Sequence, residues 1–384
     1  MGVYKNNSTN KWEWVEIHEG KQVRRRSKKW STKKQAVEDY ENWVKKIEFQ
    51  KTEDIKKSIT IEDAVVEYLE FLSLYSKKSN VQRNQITLNA HVIKYFKDRE
   101  VNSIDVPTLR KWQAYLLNLK SRNSIDKAPL RNKTLENYQT VFKGFLDFVV
   151  SHGYLDSNPF NLTPFAKRRE FEEKKVMTLL TKKQYEIFID NISDATDRAV
   201  FSILYWCGLR FGELLGLSIS DYNRDNKTLS VKNNYDYKNK ILTTTKNDHV
   251  RVIDIPDSCV LEIENLINKY PYLKSSYALI GFQKRMSKNT LDNRKYRYFA
   301  SLYGITQTEL IKRLQEKENL FDAEVPYFTW HDLRHTHVST LIDIGWEAKD
   351  ISERLGHSVH EVNETYGHLF PKRKKEMFDK LNSL

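Results

Sequence analysis

Two stretches of the sequence hold residue types that could act together on a phosphate ester. Near the C-terminal end stand His331-Asp332-Leu333-Arg334, then Leu355-Gly356-His357, then Tyr366 nine residues beyond His357. Well upstream lies Gly208-Leu209-Arg210-Phe211-Gly212-Glu213. A phenol becomes a competent nucleophile when cations stabilise its oxygen and the group it attacks. Two arginine forks can neutralise charge on non-bridging oxygens as it shifts in the transition state. Histidines can donate hydrogen bonds or move protons near neutrality. The set therefore predicts that Arg210 and Arg334 hold a phosphodiester and that Tyr366 attacks it, leaving a covalent link. The departing 5′-oxygen needs a proton, which a lysine with a lowered pKa can give. Lys246 is the candidate and Lys240 its rival.

Each residue also has a plainer reading. Arg210 and Glu213, three apart, could be a surface ion pair worth little, or Glu213 could orient the arginine fork. His331 and His335, four apart, could hold zinc. That site would want a third ligand, and Asp332 and Arg334 occupy the neighbourhood, so no metal and no other cofactor is expected. Tyr366 is one of 21 tyrosines, and a lone tyrosine is most often a packing residue. Its distance from His357 and Arg334 is what singles it out.

The elements that must position these residues follow from periodicity and caps. Asp197–Cys207 reads as a helix closed by Gly208, with Arg210 at the start of the next helix, Phe211–Leu217. Strands are expected at Thr228–Lys232, Ile241–Thr245 and Val250–Ile255, the last two joined by a turn that carries Lys246 at its tip. His331 and Arg334 share a face at the start of a helix that Gly345 breaks. Gly356 caps the following helix, and Ser358 starts a short one ending near Tyr366.

Upstream, residues 1–57 read as three short strands and a helix from Ser31 or Thr32 to about Phe49, closing in a charged linker. This segment has 15 Lys/Arg against 9 Asp/Glu. Arg24, Arg25, Arg26 and Lys28 stand near Trp12, Trp14 and Trp30, a mixture suited to DNA contact; the plain reading is a solvated face over a small aromatic core. Residues 58–165 are helical, with helices expected from Thr60 and over 80–97, 106–119 and 132–151. A second charged stretch, 167–175, leads to a mixed segment, 175–384. The fold class is thus multidomain α+β: a small sheet with a helix, a helical domain, and a mainly helical domain with a small antiparallel sheet.

The formal net charge of +13 points to nucleic acid or an anionic surface. The longest apolar run, near Ala199–Leu209, is too short to span a bilayer, so no membrane partner is expected. Cys207 and Cys259 are the only cysteines and lie in different segments, which suits a reduced cytoplasm.

The Gly208–Leu215 stretch, Thr329–His337, and His357 with Tyr366 resemble the signature boxes of tyrosine recombinases, and the chain as a whole resembles the integrases of temperate phages and conjugative transposons. The resemblance implies a site of Arg210, Lys246, His331, Arg334 and His357 with Tyr366 as nucleophile and Glu213 in support. It also implies an arm-type DNA-binding domain over 1–57, a core-binding domain over 58–165 and a catalytic domain over 175–384. The activity implied is site-specific integration and excision of a mobile element through a 3′-phosphotyrosine intermediate. The partners implied are double-stranded attachment sites, a homotetramer on DNA, an excisionase and a host DNA-bending protein, all at the bacterial nucleoid. A type IB topoisomerase-like relaxing enzyme and a DNA-binding regulator are the alternatives.

Overall fold

The computed structural model describes residues 2–6, 11–18, 21–26, 30, 32–53, 59–121, 128–169, 177–245, 250–270, 272–316, 318, 320, 323–370 and 382. They fall into two compact units, one within Met1–Ser121 and Ala128–Glu170, the other within Arg122–Lys127 and Phe171–Leu384.

The first unit opens with strands β1 (Gly2–Asn6), β2 (Lys11–His18) and β3 (Lys21–Arg26), antiparallel in that order, and helix α1 (Lys33–Glu53). Trp14 is fully buried. Its ring packs against Tyr40 and Trp43 of α1, and its indole N–H donates to Asp39 at 3.0 Å. A buried tryptophan needs such a partner, so Trp14 is core and not part of a basic DNA-facing surface. Register pairs Trp14 with Arg25 and Val15 with Arg24. Side chains alternate along a strand, which puts Arg24 and Arg25 on opposite faces. Arg25 lies on the helix side, 3.5 Å from Asp39, and Arg24 on the other; both are exposed. Arg26 closes β3; Lys28 lies outside the described residues.

Helix α2 (Ile61–Tyr75) starts at Thr60, whose hydroxyl accepts from the Asp63 amide. The helix expected over 80–97 is α3 (Lys78–Leu88) and α4 (Lys94–Phe96) joined by a π-helical turn, Asn89–Ile93. The His91 carbonyl in that turn accepts the Trp112 indole at 2.7 Å. Helices α5 (Val106–Leu117) and α6 (Asn132–Ser151) complete the bundle around Trp112, Phe142 and Phe145. The ordered chain continues past Asn158-Pro159: buried Gln139 accepts the Ala166 amide, and Asn132 accepts that of Arg168.

In the second unit α7 (Lys182–Asp190), α8 (Ala195–Cys207) and α9 (Phe211–Gly216) precede the strands β4 (Tyr222–Asn223), β5 (Thr228–Val231), β6 (Asn233–Asp236), β7 (Ile241–Thr244) and β8 (Arg251–Asp254). Helices α10 (Asp257–Asn268), α11 (Lys288–Leu302), α12 (Gln307–Gln315), α13 (Trp330–Asp343), α14 (Ala348–Leu355) and α15 (Val359–Tyr366) follow. The strand pairing corrects the sequence reading. β7 does not pair with β8; it folds back on β6, while β8 pairs with β5. The reason lies in the β6–β7 turn. The Asp236 carboxylate accepts from the amides of Lys238 and Asn239, and Lys240 takes a left-handed φ of 56°. Lys240 thus occupies a hairpin turn. Lys246 falls in the β7–β8 connection and lies outside the described residues.

An aromatic core built on Phe188, Phe201, Phe299 and Phe328 holds this unit. A smaller cluster joins α13, α14 and α15 through Val338, Leu341, Ile351, Leu355, Val362 and Tyr366. Cys207 and Cys259 are both buried and unbridged. Among the described residues no helix is long and apolar enough to cross a membrane.

Candidate active site

Helix α8 ends at Gly208 in a left-handed cap, φ 61°. A Cβ there would stand 2.5 Å from His337 and 2.9 Å from Leu355. Only glycine, lacking that atom, lets α13 and α14 close on the end of α8. Arg334, on α13, enters this junction and is wholly buried. Its Nη1 donates to the Gly208 carbonyl at 2.6 Å and its Nη2 to the Leu355 carbonyl at 3.1 Å. These are carbonyls at the C-terminal ends of α8 and α14, where cations are favoured. The same Nη2 lies 2.6 Å from His357 Nε2.

Arg210 begins α9. Its amide donates to Glu213 Oε2 at 2.9 Å and its Nη1 to Oε1 at 3.0 Å. Arg251, at the start of β8, grips the same carboxylate with both forks, Nη2–Oε2 2.8 Å and Nη1–Oε1 3.2 Å. Arg334 Nη1 stands 4.0 Å from it. Burial works to raise the Glu213 carboxyl, but the Arg251 bonds, the charges of Arg251 and Arg334, and the Arg210 amide overcome it and hold the group at about 2. Burial pushes Arg334 down to about 9, the Arg210 charge adds to this, and Glu213 resists it. Three guanidinium groups therefore share one carboxylate. The excess positive charge suits an incoming anion, and Arg210, with 22% of its side chain exposed, is the open member.

Tyr366 ends α15 and is 2% exposed. Its hydroxyl lies 2.6 Å from His335 Nδ1. The His335 ring meets the exposed His331 ring edge-on, centroids 4.5 Å apart. Burial pushes the Tyr366 phenol up to about 12; the Arg334 charge works against this and Glu361 adds to it. His357 Nε2 is 3.7 Å from Glu361.

The structure thus brings Arg210, Glu213, Arg334 and His357 into one bonded group, with Tyr366 within range of the Arg334 charge. His331 stands beside Tyr366 through His335. Among the described residues no group of His, Cys, Asp and Glu could hold a metal ion. Two residues that the sequence did not single out belong here. His335 was read only as half of a zinc pair, and its spacing from His331 was the available signal. Arg251 gave none, because strand pairing alone carries it to Glu213.

Comparison with known proteins decides the family. The sequence profile of the phage integrase family matches residues 178–373, just over half of the 384 residues. The chain belongs to the phage integrase family. The profile of the phage integrase SAM-like domain matches residues 60–169 of this integrase-family chain. The ICEBs1 integrase of Bacillus subtilis is 26% identical, covering 92% of this chain and 91% of the relative. A XerC-like tyrosine recombinase of Caldanaerobacter subterraneus is 27% identical, covering 78% and 77%. Among solved structures, the Tn1549 transposon integrase in complex with a circular intermediate DNA shares the fold, with a TM-score of 0.58 at 18% identity, covering 85% of this chain and 100% of that one. The integrase-family chain is accordingly a site-specific tyrosine recombinase of the mobile-element type, and neither the relaxing enzyme nor the regulator is favoured.

Proposed function

We propose that this recombinase receives the scissile phosphate of a DNA attachment site at Arg210 and Arg334 and attacks it with Tyr366. His331 and His357 donate hydrogen bonds to the phosphate, and Glu213 orients the arginines. Lys246 protonates the departing 5′-oxygen. Its segment runs from buried Thr245 into Arg251, which grips Glu213, so its C-terminal end is tied to the site. The observation that carries the reading is the buried arginine cluster, with its surplus charge, beside a buried phenol. The bond energy stays in the 3′-phosphotyrosine link, and the freed 5′-hydroxyl reseals with the partner duplex. Exchange between two duplexes breaks four strands and each chain offers one Tyr366, so the working assembly is a tetramer. Residues 1–57 bind arm-type sites, with Arg24 exposed for the task and Arg25, Arg26 and Lys28 flanking it. Residues 58–165 bind the core site, and 175–384 cut it. Excisionase and a DNA-bending protein set direction in the bacterial host.

The test is Tyr366→Phe, which removes the hydroxyl and keeps the ring. A core-site duplex nicked beside the scissile phosphate should trap the parent as a covalent adduct and the variant not at all, with DNA binding nearly equal. An adduct of equal yield in the variant would overturn the assignment.

A further inference from the structure

The side chain that holds the Tyr366 hydroxyl is His335, one helical turn beyond His331 on α13 and outside the set assigned to the phosphate. The contact is direct, 2.6 Å from Nδ1 to Oη, and the rings stand 5.6 Å apart at 57°. A phenol is a better donor than a neutral imidazole. The natural form of this bond has the Tyr366 proton aimed at an unprotonated Nδ1, with the ring proton on Nε2. We propose that His335 is the general base of strand cleavage, taking the Tyr366 proton at Nδ1 as Oη attacks phosphorus and returning it when the strand is resealed. The inference rests on Tyr366 being the nucleophile.

The step balances. In cleavage the Oη–P bond forms and the P–O5′ bond breaks. The phenolic proton passes to His335, and O5′ leaves with a proton from a separate donor, for which Lys246 is proposed above. In resealing the 5′-hydroxyl attacks phosphorus and gives its proton back to that separate donor, the Oη–P bond breaks, and His335 returns its proton to Oη.

A base is needed because the phenol is buried and strongly biased to its protonated form. Without help only on the order of one molecule in 10⁵ would carry phenolate at neutral pH. The other histidines are less well placed. His357 Nε2 is held against the Arg334 guanidinium at 2.6 Å and cannot also accept a phenolic proton there. His331 is exposed and meets the edge of the His335 ring, whose Nδ1 is the atom in direct contact with the Tyr366 hydroxyl. The charged and titratable groups facing the pair are His331 and Arg334 from α13 and Glu361 from α15. Arg334 favours the phenolate that forms, and Glu361 opposes it. The arrangement thus separates roles along one helix: Arg334 for the phosphate, His335 for the nucleophile.

The test is single-turnover adduct formation by the full chain on the nicked core-site duplex, followed against pH. The parent should lose rate as pH falls and His335 becomes protonated. His335→Ala should be slower by on the order of 10²–10⁴, with that acid limb gone. His335→Gln keeps a polar acceptor of similar reach but cannot take up a proton, and it should stay slow. Added imidazole should raise the rate of His335→Ala in proportion to its concentration and leave the parent unchanged. Parental rate in His335→Gln would reduce His335 to a positioning residue and overturn the proposal. A parent profile that is flat toward acid would overturn it without any variant, so a misfolded substitution leaves the question answerable. Tyr366→Phe runs alongside. An inactive Tyr366→Phe with a fully active His335→Ala sinks this inference alone; an active Tyr366→Phe sinks the nucleophile assignment and this inference with it.

Discussion

His337 shows how finely one side chain can be set by burial. It is almost wholly enclosed at the α8–α13 junction. Its Nδ1 lies 3.0 Å from the Tyr205 carbonyl, and its Nε2 accepts from Arg354 Nε at 3.1 Å. The neutral ring satisfies both partners, whereas a second proton would face the Arg354 guanidinium. Burial, with the Arg354 charge behind it, pushes the imidazole down to about 3 from its ordinary 6.5. The folded state therefore binds fewer protons than the unfolded state between those values. The stability from the neutral ring is full above about pH 6.5 and declines as pH falls toward 3. The melting temperature of the parent should drop across the upper part of this window, before carboxylates titrate, and His337→Gln should flatten the slope. An equally steep slope in the variant would refute this account. At this scale the sequence was uneven. Arg210, Arg334, His357 and Tyr366 could be picked out by their residue types and their spacing along the chain. His337 and His335 lie inside the same helix, and only the folded packing shows what each touches.

Among the elements, the approach of β6 to α9 decides the local layout. The short helix that follows Arg210 carries Gly212 and Gly216 on the side that β6 crosses. A Cβ on Gly216 would stand 2.5 Å from the Asn233 carbonyl, and one on Gly212 would stand 2.2 Å from the Asn234 side chain. The first obstacle is backbone and cannot swing away. Gly216→Ala should therefore lower stability by about 1–3 kcal/mol through overpacking, read as a shifted urea midpoint at unchanged slope. A variant as stable as the parent would mean that β6 moves freely from the helix. This contact also explains why the hairpin was misread. Strand character in Ile241–Thr245 and Val250–Ile255 was visible, but it does not choose a strand's partner. The Asp236-Tyr237-Lys238-Asn239 turn signal was present and passed over, because Asn233–Asp236 carries polar residues and did not read as a strand. Helices bounded by a cap or a glycine were legible, as at Asn132–Ser151 and at the Gly208 end of α8, whereas α7, α10, α11 and α12 were not delimited. The π turn at Asn89–Ile93 was also missed, because hydrophobic spacing does not register it.

For the whole molecule, the separation of chemistry from the N-terminal sheet is open to test. Helix α1 ends at Glu53 and Thr60 caps α2, so removal of residues 1–55 takes away the sheet and its helix as one piece. The truncated chain should form the covalent adduct on a core-site duplex at near parental rate but integrate poorly in cells. Its DNA affinity should fall less steeply with salt, since phosphate contacts are lost. Undiminished integration would contradict the assignment of residues 1–57. The face each strand presents was not readable from the sequence: Trp14 and Arg25 share the helix side of the sheet. The arginine trio around Glu213 bears on the molecule as a whole in another way. Like charges packed into a core strain the empty protein, and the strain is released only when something anionic arrives to balance them. The DNA backbone is then the missing counter-ion of an unfinished interior. Part of the repulsion held in the free protein returns as grip on the substrate, so the protein should be at its most rigid only while it holds DNA.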